Sequence, residues 1–128
     1  MKPETLIVIG GLYNAAFAIF HLGFWKIFGW KRDLVSLTPA NRAIMQVLNL
    51  CLIFSFLIFA YISIFHTAEL VATGIGRALL ALIALFWLLR AVEQPVFFGL
   101  SQPLSVAFLV IFLAGFGLYG YAWMASAG

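Results

Sequence analysis

The residues able to do chemistry in this chain are Asn14, His21, Trp25, Arg42, Gln46, Asn49, Arg90, Glu93 and Gln94, each set in or beside a strongly apolar run. Residues three, four or seven apart share a helix face. Asn14, His21 and Trp25 therefore form one polar stripe, Arg42, Gln46 and Asn49 a second, and Arg90, Glu93 and Gln94 a third. Glu93 is the natural counter-ion of Arg90 or Arg42, with His21, Gln46 and Asn49 hydrogen-bonded around the pair. His21 is the residue best suited to move a proton, because its unperturbed pKa of about 6.5 lets it change charge near neutral pH. In a catalytic reading His21 is the acid or base, Glu93 its orienting carboxylate, and Arg90 or Arg42 the group holding an anion. In a structural reading the same residues are interhelical glue that fixes helix register. Both readings stand at this point.

These stripes need helices to carry them, and the composition says of what kind. The 128 residues are 66% hydrophobic and only 9% charged, with a mean hydropathy of +1.15. A soluble domain is about half apolar and about a quarter charged. The chain reads as an integral membrane protein, all-α, a single domain of four transmembrane helices joined by short loops. The expected spans are residues 6–28, 39–65, 76–94 or 98, and 104–124, each near the ~20 residues that cross a hydrocarbon core. Thr38 is a plausible N-cap with Pro39 at the first helical position, and Pro95 predicts a kink, with the helix continuing to Phe98. Lys2 before an apolar stretch resembles a signal peptide, but the run continues through His21 to Phe28 without a polar mature segment, so the helix is expected to be retained. Gly11 with Ala15, and Gly74 with Ala78, have the spacing of close helix contacts, and Gly115, Gly117 and Gly120 point the same way.

Topology follows from the basic residues. Lys26, Lys31, Arg32, Arg42 and Arg90 fall on one side, and only Lys2 and Arg77 on the other. The first hairpin and the 95–103 turn are expected in the cytoplasm of a bacterial-type inner membrane, with both termini on the non-cytoplasmic side. At about 1.5 Å per residue, His21, Gln46, Asn49 and Arg90 then lie roughly 6–10 Å inside the same face. Such residues are costly in lipid and should turn inward.

Several function classes fall away. Seven Lys and Arg against four Asp and Glu is a topological bias, not a nucleic-acid groove. A lone cysteine forms no internal disulfide, and Cys51, opposite Gln46, is expected to be a buried inert thiol. The two histidines, His21 and His66, should lie roughly 20 Å or more apart along the membrane normal, which argues against a haem held between them. His66 with Glu69 is too small a set for a zinc site, so no metal or cofactor is expected. Trp25, Trp30 and Trp123 are expected in interfacial belts, and Phe54, Phe56, Phe59 and Phe65 in packing or lipid contact. No HExxH, GxSxG, paired CxxC or P-loop pattern occurs. The expectation is a binding, permeation or accessory membrane protein in contact with lipids, a homo-oligomer or a subunit of a larger complex. An intramembrane enzyme acting on a lipid or quinone-like molecule is the alternative.

Overall fold

A computed structural model describes residues 1–126. It is all-helical, with no strand among the described residues: α1 (Pro3–Leu22), α2 (Phe24–Ile27), α3 (Trp30–Asp33), a 3₁₀ turn (Leu34–Ser36), α4 (Pro39–Phe65), α5 (Thr67–Ala72), α6 (Gly74–Glu93), a π-helical turn (Gln94–Phe98) and α7 (Pro103–Ala125). The four long helices α1, α4, α6 with its π turn, and α7 are each long and apolar enough to cross a membrane. They form a four-helix bundle in which α1 packs along α4 and α7, and α6 packs along α7, while the backbones of α4 and α6 do not approach closely and the two helices meet through side chains. One end carries the 23–38 hairpin and the 99–102 turn; the other carries α5, the start of α1 and the end of α7.

Local signals account for most boundaries. Thr38 caps α4 by accepting from the Asn41 backbone N–H at 3.3 Å, with Pro39 opening the helix. Thr73 caps α6 in the same way, accepting from Gly76 N–H at 2.9 Å. The hairpin and the 99–102 turn depend on Gly29 (φ 61°) and Gly99 (φ 71°), where a side chain would be strained. Pro95 cannot supply the backbone donor an α-helix requires, and the chain widens there into a π turn, the usual accommodation of such a defect.

The interior has a seven-residue repeat on all four helices. Ile7, Asn14 and His21 on α1, Asn49, Phe56 and Ser63 on α4, Leu80, Trp87 and Gln94 on α6 and its π turn, and Ser105, Phe112 and Tyr119 on α7 are all buried. Such spacing keeps one seam facing inward along gently crossing helices. Leu12, Ile19, Leu48, Phe54, Leu82, Leu89, Leu104 and Val110 face outward and are exposed, an apolar coat far larger than a soluble monomer tolerates. This is the surface of a multi-pass membrane protein.

The structure departs from the sequence expectations in five places. The first helix does not run unbroken to residue 28 but breaks at Gly23, where α2 begins. Residues 67–72, expected as a turn, form α5. Cys51 is exposed on the outside of α4, not buried. Close contact is made at only some of the glycines with small-residue spacing, and also at Gly76, where a Cβ would collide with the backbone of Glu69 and Leu70, whereas Gly74 and Gly117 have nothing nearby. Gly11 and Gly115 do sit at tight contacts, with Ile64 and Tyr13 respectively. Trp30, expected in an interfacial belt, is buried in the hairpin.

The α5–α6 contact is therefore sterically closed at Gly76. Gly76→Ala should destabilise the protein in detergent by about 1–3 kcal/mol, the usual cost of overpacking, while Gly74→Ala leaves the melting temperature unchanged. Thermal unfolding of the two variants side by side checks this.

Candidate functional site

The gap between α4 and α6 opens, toward the hairpin end, into a cavity of about 1030 Å³. Its apolar wall includes Phe17 and Phe20 from α1, Leu52 and Phe56 from α4, Phe86 and Trp87 from α6, and Phe108 and Phe112 from α7. The polar part of the wall is His21, Arg90, Glu93, Gln94 and Ser105, with Asp33 and Gln102 also contributing. Its volume matches the upper end of small-molecule clefts, roughly 300–1,000 Å³, and an apolar lining with few converging polar groups is typical of them.

The cavity exists because aromatic rings hold the helices apart. Trp87 is fully buried and stacks near-parallel on Phe56 (5.5 Å, 10°) and Phe112 (6.0 Å, 20°), with Phe17 at 4.8 Å. Phe86 bridges to Phe56 and Phe59 across the α4–α6 gap at 5.8 and 5.4 Å. The Trp87 indole N–H has no hydrogen-bond partner.

His21 lines the cavity from the last turn of α1. Its Nδ1 lies 2.9 Å from the Phe17 carbonyl; a carbonyl only accepts, so Nδ1 carries the proton and donates. Nε2 is left as the free acceptor of the neutral ring. The imidazole stacks on Phe24 at 4.2 Å and meets Phe56 edge-on at 5.0 Å, so its plane is fixed.

Arg90 enters from the last turn of α6. Its Nη2 donates to Gln94 Oε1 at 3.1 Å, Gln94 Nε2 donates to Ser105 Oγ at 2.9 Å, and Ser105 Oγ donates to the Gly99 carbonyl. This relay ties the π turn to the start of α7. The guanidinium lies over the Phe112 ring at 4.4 Å, a cation–π contact. Glu93 Oε2 is 3.9 Å from Nη1, within reach of charge but beyond a hydrogen bond.

Thus His21, Arg90, Glu93 and Gln94 share one cavity, and the other five residues of the polar stripes do not line it. Asn49 donates to the His21 carbonyl at 3.0 Å, filling an acceptor left open at the end of α1. Trp25 Nε1 donates to Gln46 Oε1 at 3.0 Å across the α2–α4 contact. Arg42 does not pair with Glu93; it donates to the carbonyls of Leu34, Val35 and Leu37 at 2.9, 3.1 and 3.2 Å and thereby staples the 3₁₀ turn to α4. Asn14 sits deeper toward the other end, donating to the Gly10 carbonyl and the Tyr119 hydroxyl, both at 2.8 Å. The Tyr119 hydroxyl also meets Ser63 Oγ at 2.8 Å.

Tyr119, Ser63 and Ser105 are functional-group positions that polarity scanning passes over, because each is a single hydroxyl in an apolar helix. The signal was in their spacing, since Ser105 and Tyr119 fall on the seven-residue seam of α7 with Phe112. At the far end, His66 pairs with Glu69 at 3.4 Å in an exposed, solvated arrangement, and the backbone amide and His66 hold the Glu69 carboxyl below its usual range. No cluster of three potential metal ligands occurs among the described residues.

No protein-family model, curated protein or solved structure matches this chain.

The Asn14–Tyr119–Ser63 network and the cavity occupy different halves of the bundle and should be separable. Tyr119→Phe should lower thermal stability by about 1–2 kcal/mol, as loss of an interhelical hydrogen bond in a membrane does. It should leave the environment of Trp87 in the cavity wall unchanged in the tryptophan emission spectrum.

Proposed function

We propose that this protein binds an amphipathic, membrane-soluble molecule, lipid- or quinone-like, in the cavity between α4 and α6. The single observation that carries this reading is the aromatic-walled space of about 1030 Å³ whose polar lining residues His21, Arg90, Glu93, Gln94 and Ser105 all stand at the hairpin-side ends of their helices. An apolar body among the rings and a polar head near His21 and Arg90 would match that division.

Binding is favoured over permeation by what lies beyond Trp87. There the bundle is filled by Ile7, Leu80, Ile83 and Tyr119, all buried, so the cavity is a blind pocket. The same proposal includes a bacterial inner-membrane location with the hairpin end in the cytoplasm, supported by Lys26, Lys31, Arg32, Arg42 and Arg90 at that end against Lys2 and Arg77 at the other. It also includes assembly as a homo-oligomer or as a subunit of a larger membrane complex.

One observation favours a catalytic variant of this reading. The His21 ring is held by its Nδ1–H and by stacking, and its Nε2 is unengaged by the protein, the arrangement of a positioned acid or base. In that variant Glu93 and Arg90 orient the reacting head group.

Native mass spectrometry after purification in a mild uncharged detergent should show a retained amphiphile. Leu52→Trp, which places a larger side chain in the cavity wall, should weaken retention at least about tenfold, equivalent to about 1.4 kcal/mol. Protein that carries no amphiphile and takes up none when lipids are added back would overturn the binding reading. His21→Phe that retains the ligand but loses turnover would select the catalytic variant.

A further inference from the structure

The polar wall of the cavity is unevenly satisfied: the Trp87 indole N–H and His21 Nε2 have no protein partner among the described residues, and the one cation in the wall, Arg90, is only partly engaged. Arg90 makes one side-chain hydrogen bond, to Gln94. Its nearest carboxylate, Glu93, stands off at 3.9 Å with a side chain 40% exposed against 29% for Arg90. The other acid at the cavity, Asp33, is engaged by Arg32 at 2.9 Å on the outer surface. Arg90 is thus a fixed cation, stacked over Phe112 at 4.4 Å and near Phe98 at 5.7 Å, with most of its N–H groups unspent and its charge incompletely neutralised in an apolar chamber.

Each kind of head group meets this wall differently. A cation would be repelled by Arg90, which already takes up the faces of Phe112 and Phe98. A neutral hydroxyl or carbonyl would use one N–H and leave the charge uncompensated. An oxyanion uses two N–H groups at once in the planar fork that arginine presents. The Gln94–Ser105–Gly99 relay holds the guanidinium from the other side, so its free edge needs little ordering on binding.

We infer that the cavity selects a single-chain amphiphile with an oxyanion head, a carboxylate or a phosphate monoester, whose oxygens take the free edge of Arg90 while the chain lies among the aromatic rings. This rests on the binding role proposed above. A single chain is indicated because the whole cavity is only at the upper limit of a small-molecule cleft.

The test is a titration of the full chain in uncharged detergent, followed by tryptophan fluorescence, since Trp87 forms part of the wall. The probes are oleate, oleoyl lysophosphatidate, monoolein and oleyltrimethylammonium, which share a chain and differ in head. At least one anionic probe should bind about tenfold or more tighter than monoolein, as a charge-assisted bidentate contact implies, and the cationic probe no tighter than monoolein. Preference between oleate and lysophosphatidate assigns the carboxylate or the phosphate. Arg90→Gln should bring the anionic probe down to the affinity of monoolein without changing monoolein itself. Glu93→Gln, which removes the competing carboxylate and leaves the relay intact, should strengthen anion binding several-fold. Equal affinity for all heads, a preference for the cation, or an Arg90→Gln effect that is the same for every probe would overturn the inference while leaving the binding role standing. Failure of all four probes to bind would remove the binding role itself.

Discussion

The separation of α4 from α6 by stacked aromatic rings is the constraint on which the rest of this structure depends. In a bilayer the hydrophobic effect does not drive helices together, so packing and interhelical hydrogen bonds decide which surfaces meet. Where small residues line a seam, backbones approach, as α1 does at Gly10 beneath the Tyr119 ring. Where Phe56, Trp87 and Phe112 stack through the middle of the bundle, they cannot. Each such ring pair contributes about 0.5–1.5 kcal/mol beyond its buried area, so the bundle is held at that spacing as firmly as a closed seam would hold it.

The two halves of the bundle then have different fates. Toward the termini, Tyr119 fills the space and its hydroxyl links α1, α4 and α7 through Asn14 and Ser63. Toward the hairpin, no residue of comparable size occupies the seam: His21, Asn49, Gln94 and Ser105 replace rings at the equivalent repeat positions. Their hydrogen bonds join α4 to α1 (Asn49 to the His21 carbonyl) and the π turn to α7 (Gln94 to Ser105), and none of them joins one pair of helices to the other. A cavity results from that substitution of mid-sized polar residues for aromatic ones.

Much of this was legible in the sequence. Composition and span length give the four-helix bundle, and Thr38-Pro39 and Pro95 mark boundaries the structure retains. The meeting of His21 with Asn49, and of Arg90 with Gln94 and Glu93, follows from their depth and helical spacing. What depth and spacing cannot supply is partner choice. Arg42 and Arg90 have the same side chain, yet Arg42 donates to the Leu34, Val35 and Leu37 carbonyls in and just after the 3₁₀ turn, and that arrangement of the hairpin backbone is not written in helical spacing. Trp25 left the stripe of His21 because Gly23 interrupts the helix, which changes the angular register of everything after it. The cavity was not legible, since it depends on how far apart two helices stand.

Sorting the polar residues by how fully they are satisfied separates two roles that sequence alone leaves superposed. Arg42, Asn49, and the Trp25–Gln46 pair spend their donors on the protein itself and sit at seams, as interhelical glue should. His21 Nε2, the outer edge of Arg90 and the Glu93 carboxylate do not, although each lies where unsatisfied polarity is costly. Arg90 bears the heaviest cost, since an arginine near a bilayer centre is worth about 2.5–3.5 kcal/mol of destabilisation on insertion scales, less near a helix end where it can snorkel. Stabilising the bundle alone would favour a leucine at that position, as in the residues just before it. A cation braced there by a relay and facing an aromatic chamber is what the proposed oxyanion-headed ligand would require.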